Sequence, residues 1–113
     1  MPYSDKSKRW REENKASVDA WRKTIEDLRQ LANLENWAYE RLEIEIAQRL
    51  DRELREIWDF GSWYSKKYPK SEFGLFLKKA VAEIVDHGTI EPSRKKRLLR
   101  AIETTRRKMH DKR

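Results

Sequence analysis

Apolar residues recur every three or four positions along most of this chain, which is the spacing that lines one face of an α-helix. The pattern predicts an all-α, four-helix domain. The helices are expected at about residues 6–32, 36–60, 71–87 and 92–110. Because the chain has only 113 residues, a single helical domain is expected over 1–113.

The first two apolar series leave two arrangements open. Neither glycine nor proline occurs between Pro2 and Gly61, so one continuous helix could present an apolar seam to a second copy of the chain. Alternatively the chain folds back between Asn33 and Asn36, where one Asn adopts a left-handed conformation and the other caps the next helix. We favour the hairpin, because a single long helix would leave too little chain to cover it.

Seven of the twelve aromatic residues lie in residues 58–76, together with two of the three glycines. Gly61 is the first position at which a change of chain direction is expected, so this aromatic-rich segment is interpreted as a corner. Large rings bury roughly 150–250 Å² each, which favours a core role for them. The interleaved Lys66 and Lys67 leave open a second interpretation, in which exposed rings stack on nucleobases. The rings belong to Trp58, Phe60, Trp63, Tyr64, Tyr68, Phe73 and Phe76.

Cap residues indicate where the later helices begin and end. Ser71 is expected to cap the third helix, and Gly88 to follow its last turn in a left-handed conformation. His87 is interpreted as a residue of the helix end rather than a ligand or base. Thr89 or Ser93 is expected to cap the last helix.

The formal charge divides unevenly along the chain. Residues 1–33 carry a net charge of +2, residues 34–60 carry −4 and residues 61–113 carry +9. A basic excess concentrated in one segment is typical of proteins that bind polyanions. The alternative is internal compensation, in which the acidic segment packs beside the basic one. Glu40 and Glu43 of the acidic segment are interpreted as part of a solvated, ion-paired face rather than as metal ligands.

The last predicted helix has a narrow apolar stripe, and basic residues occupy most of its remaining surface. The candidate partners are a phosphate backbone, an acidic protein surface and anionic lipid. Lipid is the least favoured, because the stripe lacks the bulky residues of an interfacial helix. We therefore predict that this helix binds the phosphates of nucleic acid, with the corner lysines as further contacts. The predicted contacts are Arg94, Lys95, Lys96, Arg97, Arg100, Arg106, Arg107 and Lys108, with Lys66 and Lys67.

Several classes of function lack the residues that they require. The chain has no cysteine, which excludes disulfides, thiolate nucleophiles and cysteine-based zinc sites. Its serines have no plausible His–acid pair, and its three glycines are dispersed, so no catalytic residue, metal or cofactor is predicted and the protein is not expected to be an enzyme. There is no long apolar run and no apolar signal sequence, which predicts a cytoplasmic protein without membrane contact.

The start of the chain resembles small bacteriophage and mobile-element proteins that open with MPY, an acidic residue and a basic helix rich in Trp and Asn. The matching residues are Met1, Pro2, Tyr3, Asp5, Lys8, Arg9, Trp10, Arg11, Asn14, Lys15, Trp21 and Arg22. Some proteins of this kind carry an HNH nuclease domain, whose His-Asn-His constellation does not occur here. The resemblance covers residues 1–23 and implies a mobile-element origin and a nucleic-acid function without catalysis.

Together these features predict a non-catalytic nucleic-acid-binding protein of phage or mobile-element type. The alternative is a protein–protein module, for example a small helical subunit or inhibitor in a larger nucleoprotein complex such as a CRISPR effector. With 37% hydrophobic and 42% charged residues, the core is thin, and self-association or assembly into a larger complex is compatible with it. The pattern does not distinguish DNA from RNA.

Overall fold

The computed structural model describes residues 5–111, and helices account for most of them. In chain order the helices are α1 Asp5–Glu13, α2 Lys15–Leu34, α3 Tyr39–Ala47, α4 Arg52–Lys67, α5 Glu72–His87 and α6 Pro92–Asp111. No strand occurs in this part of the chain, which confirms the all-α class. The predicted count of four helices is corrected to six. Met1, Pro2 and Tyr3, which carry part of the phage-like opening, lie outside the described residues.

The predicted first helix, 6–32, is two helices that meet at Asn14. The backbone of Asn14 leaves helical geometry, with φ −111° and ψ 28°. Its side-chain Nδ2 donates to the carbonyl oxygen of Trp10 at 2.8 Å. Asparagine side chains compete with the backbone for such hydrogen bonds, which explains a break without glycine or proline.

The turn between α2 and α3 confirms the hairpin over the single long helix. Asn36 has a φ of 53°, the left-handed conformation expected of one of the two asparagines. The N–H of Trp37 donates to the Ala32 carbonyl at 2.9 Å, which ties the turn back to the end of α2. Asn33 lies inside α2 and does not cap α3, whose N-cap is Ala38.

The predicted second helix, 36–60, also proves to be two helices. Asp51 begins α4 as its N-cap, with its side chain accepting a hydrogen bond from the N–H of Leu54 at 2.9 Å. This helix then continues through Gly61 to Lys67, so the expected change of direction at Gly61 is wrong. Gly61 instead allows α5 to approach α4 closely: a Cβ added there would lie 2.9 Å from Cγ2 of Val81. The chain turns later and re-enters a helix at Ser71, whose Oγ accepts from the N–H of Gly74 as predicted.

The core is formed around α5, which packs most extensively against α4. Three apolar residues of α5 are fully buried, and α2, α3, α4 and α6 each contribute apolar side chains around them. The buried apolar residues are Val18, Ile25, Leu28, Ala32, Ile46, Ala47, Leu50, Leu54, Ile57, Trp58, Phe60, Leu77, Ala80, Ile84, Ile90, Leu98 and Ile102. The rings of the 58–76 segment are divided: Trp58 and Phe60 are buried, whereas Trp63 and Phe76 are 44% and 43% exposed. Tyr68 is also exposed, at 37%. The expected core role is therefore wrong for Trp63, Tyr68 and Phe76, whereas Tyr64 and Phe73 are partly buried against the core.

The C-terminal end of α5 is held by Trp21 of α2. The indole Nε1 donates to the carbonyl oxygen of Val85 at 2.8 Å. Gly88 follows α5 with a φ of 67°, as predicted, and a Cβ there would lie 2.3 Å from Cδ2 of Trp21. A side chain at this position would thus meet an aromatic ring as well as backbone strain.

Candidate nucleic-acid interface

The start of α6 is fixed by Glu91, rather than by the predicted Thr89 or Ser93. The Glu91 carboxylate accepts hydrogen bonds from the N–H of Ser93 at 3.1 Å, from its Oγ at 2.5 Å and from the N–H of Arg94 at 3.1 Å. Burial acts to raise the pKa of Glu91, but these hydrogen bonds and the charge of Lys6 outweigh it and leave that pKa below its ordinary value. An ionised carboxylate at a helix N-terminus stabilises the first turn. Glu91 therefore fixes where α6 begins.

One side of α6 faces the protein, and its cations are neutralised there. Arg94 forms an ion pair with Glu83 of α5. Lys95 lies 3.3 Å from the carboxylate of Glu53. Glu83 and Glu53 thus pair with cations on the inward side of α6. Arg94 and Lys95, two of the predicted phosphate contacts, therefore already have partners within the fold.

Arg106, on the last turns of α6, has contacts to both an acid and a ring of α4. Its Nη1 donates to Oε1 of Glu56 at 2.5 Å. Its guanidinium also lies 5.1 Å from the centroid of the Phe60 ring, a cation–π distance. Because the side chain of Arg106 remains about half exposed, it borders solvent while it is held in place.

The opposite side of α6 is exposed and strongly basic. The outward-facing cations are Lys96, Arg97, Arg100, Arg107 and Lys108. Arg107 pairs with Glu103 of the same helix at 2.7 Å. Within the described residues, no carboxylate pairs with the other four. From Arg97 to Lys108 this outward basic face extends for roughly 16 Å along the helix axis, at about 1.5 Å per residue.

A groove of about 560 Å³ separates the C-terminal half of α4 from that of α6. It is lined by Phe60, Trp63, Lys67, Tyr68, Arg106, Met109 and His110. A smaller recess of about 380 Å³ adjoins it across Tyr68 and Met109, and is lined further by Tyr64, Thr105 and Lys108. We call the two together the α4–α6 groove. It joins aromatic faces to cations from both helices, and no carboxylate is among these lining residues.

The rings of the α4–α6 groove form a connected series along α4. The Phe60 and Tyr64 rings stack with centroids 5.5 Å apart, and the centroids of Tyr64 and Tyr68 are 4.7 Å apart. Trp63 is 5.8 Å from Phe60. Lys67 bridges the two exposed rings: its Nζ lies 5.1 Å from the Trp63 centroid and 5.8 Å from that of Tyr68.

All of the predicted contact residues except Lys66 fall into three groups. Arg94 and Lys95 face the protein. The outward basic face holds most of the others, and the groove brings Lys67 beside Arg106 and Lys108. Lys66 is exposed at the end of α4 and does not line the groove.

Sequence reasoning missed Met109 and His110 as groove residues. The signal available was the spacing of Phe60, Trp63 and Lys67, which places all three on one helix face once α4 is extended past Gly61. Because residues 58–76 were interpreted as a corner, this shared helix face was not recognised from the sequence. The position of α6 alongside it depends on the packed fold.

Residues 5–111 contain no group of three or more His, Asp or Glu side chains arranged to hold a metal ion. No helix in this range combines the length and the apolar character needed to cross a membrane. Comparison with family models, curated proteins and solved structures found no match for this chain.

Proposed function

We propose that this protein binds nucleic acid without catalysis, through phosphate contacts on the outward basic face of α6. One observation carries the proposal: the acidic side chains of α4 and α5 pair with Arg94, Lys95 and Arg106, and among the described residues with none of the cations on the outward basic face of α6. On that face Arg107 pairs with Glu103 of α6 itself, while four cations have no carboxylate partner among the described side chains: Lys96, Arg97, Arg100 and Lys108.

The pairing of only some α6 cations with carboxylates argues against internal compensation as the full explanation of the basic charge. If the charges of α6 served the fold alone, its cations would be expected beside carboxylates. Arg97 and Arg100 instead face solvent, where unpaired charge adds nothing to packing. Nucleic-acid phosphates bind such cations favourably, because each phosphate that a cation neutralises releases its condensed counterions. The phage-like opening of the chain supports a role in the nucleoprotein of a mobile element.

The test is the salt dependence of binding. Four phosphate contacts, from Lys96, Arg97, Arg100 and Lys108, predict that log affinity falls with log salt at a slope of roughly −3 to −4. Replacing Arg97 and Arg100 together by Ala should reduce that slope by about 1.5 to 2. Fluorescence anisotropy of labelled DNA and RNA at several salt concentrations measures both quantities.

A matched control removes two cations from elsewhere on the surface. Lys23→Ala with Arg29→Ala changes the net charge equally, and both residues are exposed on α2. Affinity and slope should then stay close to those of the wild-type protein. Binding that is insensitive to salt, or that falls equally in the two double variants, would contradict a phosphate interface on α6.

The absence of catalysis has its own test. Nucleic acid incubated with the protein and Mg²⁺ or Mn²⁺ should remain intact. Cleavage that copurifies with the protein and disappears on replacing His87 or Glu91 would overturn this part of the proposal.

A second candidate is a protein–protein module in a larger nucleoprotein complex. The turn between α2 and α3 favours it, since Leu34 and Tyr39 are 83% and 71% exposed there. A pull-down from host lysate with and without nuclease treatment separates the two functions. A partner retained after nuclease treatment and lost on Leu34→Lys would support the second, whereas recovery that depends on nucleic acid supports the first.

A further inference from the structure

We infer that the α4–α6 groove holds an unpaired nucleobase on Trp63, so that the preferred ligand of this protein is single-stranded nucleic acid. The inference rests on the proposed function, because the outward basic face of α6 supplies the accompanying phosphate contacts. The inference goes beyond the proposed function in two ways: it specifies that the nucleic acid is single-stranded, and it assigns the α4–α6 groove as a second site that binds a base rather than a phosphate.

The first support is the exposure of a ring that packs against two other rings. Trp63 is 44% exposed although the chain has few apolar residues with which to build its core. Contacts with Phe60 and Tyr64, at centroid distances of 5.8 and 6.3 Å, restrain the indole from one side. A ring that is already ordered loses little conformational freedom when a ligand stacks on it.

The second support is the charge of the groove. Lys67 and Arg106 line it together with the rings, and the residues lining it include no acid. This combination favours an anionic ligand that also presents flat aromatic surfaces. Single-stranded nucleic acid has both properties, because each phosphate is accompanied by a base with a free π-face. An apolar peptide would bring no anionic group to Lys67 and Arg106.

Lys67 indicates how the groove accommodates a base. Its ammonium group lies between the Trp63 and Tyr68 rings, at 5.1 and 5.8 Å from their centroids. A flexible lysine is readily displaced from such exposed cation–π contacts, which are worth only about 0.5–1 kcal/mol each. A base entering over Trp63 takes that position, and Lys67 turns to the adjoining phosphate.

The third support is continuity with the outward basic face. Lys108 lines the smaller recess of the groove and also belongs to that face. A strand whose base stacks on Trp63 therefore continues past Lys108 toward Arg100 without leaving basic surface. Duplex DNA can use the outward basic face, but its bases are paired and stacked and cannot enter the groove.

The experiment compares Trp63→Ala with the wild-type protein on oligo(dT), oligo(U) and a duplex of equal length at one salt concentration. Loss of one stacked base should weaken single-strand binding roughly 5-fold to 100-fold. Duplex affinity should change by less than about twofold, because the phosphate contacts remain. Trp63→Phe keeps a ring and should recover most of the lost affinity. The DNA and RNA arms show which sugar the site prefers.

Phe76→Ala is the matched control, since Phe76 is 43% exposed on α5 and also lies near an arginine, with Arg94 Cζ at 5.9 Å. It should leave single-strand affinity unchanged. Thermal melts of each variant identify any loss of folding, and Tyr68→Ala at the end of α4 provides a second substitution in the groove if Trp63→Ala does not fold.

The outcomes separate the two proposals. If Trp63→Ala weakens single strands and duplex equally, or weakens neither, the groove does not hold a base and the phosphate interface stands. An equal loss of polyglutamate binding in Trp63→Ala would show an acidic-peptide site and overturn the inference. If the wild-type protein binds no nucleic acid, the proposed function fails and the inference fails with it.

Discussion

The carboxylate of Glu83 on α5 and the guanidinium of Arg94 on α6 form an ion pair that is almost completely shielded from solvent. The two side chains are 1% and 11% exposed. Arg11 of α1 approaches the same carboxylate at 4.0 Å, so one buried negative charge joins three helices. The desolvation of such a pair offsets much of its Coulombic gain, but removing one partner leaves the other charge buried and uncompensated.

Glu83→Gln should therefore destabilise the fold by about 3–5 kcal/mol. The neutral amide keeps the shape of the side chain but cannot balance the charge of Arg94. Chemical denaturation of the variant and the wild-type protein measures the difference. Glu103→Gln is the control, because the pair between Glu103 and Arg107 is solvent-exposed and worth less than about 1 kcal/mol. Equal losses of stability in the two variants would show that the burial of Glu83 does not determine its contribution to the free energy of unfolding.

Gly61→Ala should destabilise the protein by about 1 kcal/mol, because the clash between α4 and α5 exceeds the gain in helix propensity. The added Cβ would lie 2.9 Å from Cγ2 of Val81, a branched side chain with little freedom to move. In a Val81→Ala background that atom is absent, and the same Gly61→Ala change should become stabilising. Thermal melts of the four proteins test this reversal of sign; a destabilisation that persists in the Val81→Ala background would place its cause elsewhere.

Gly88→Ala should cost more than about 2 kcal/mol, since left-handed backbone alone costs roughly 1–2 kcal/mol for a residue with a Cβ. The contact with Trp21, at 2.3 Å from the added atom, adds to that strain. Asn36→Gly is the opposite case: Asn36 already has a φ of 53°, and glycine relieves the strain there. Its melting temperature should stay level or rise. A tolerated Gly88→Ala would argue against close packing of Trp21 on this turn.

The stability of the fold should fall as pH is lowered through the titration range of His87. Burial, followed by the charges of Arg11 and Arg22, lowers the pKa of His87 below its ordinary 6.5, while Asp86 acts in the opposite direction. The unfolded chain therefore binds the proton more readily, so this stability is fully present above 6.5 and is lost as pH falls toward the lower, folded-state value.

Denaturation midpoints at about pH 7.5 and about pH 5.5 test the effect, because this interval spans the ordinary titration of histidine. The wild-type midpoint should drop more than that of His87→Gln, whose side chain does not titrate. An identical drop in the two proteins would show that the surroundings of His87 do not resist its protonation.

Local features of the sequence determined the helical class and several of the helix ends. Apolar spacing identified helical segments, Ser71 marked the start of α5, and Gly88 marked a left-handed position. Asn33 and Asn36 together marked a turn with one left-handed asparagine, without showing which of the two it is. Each of these depends on a residue's own backbone preferences or on hydrogen bonds to neighbours a few positions away. The concentration of positive charge in α6 was equally visible, because charge is counted directly from the sequence.

Only the tertiary structure decided how those residues are used. Arg94 and Arg97 are three positions apart on one basic helix, yet one is buried against Glu83 and the other faces solvent. Gly61 proved to be a point of close helix contact, and Trp63 part of a groove wall, once α5 and α6 lay against α4. These roles depend on partners distant in sequence, and the periodicity of a single helix carries no information about which surfaces its neighbours will cover.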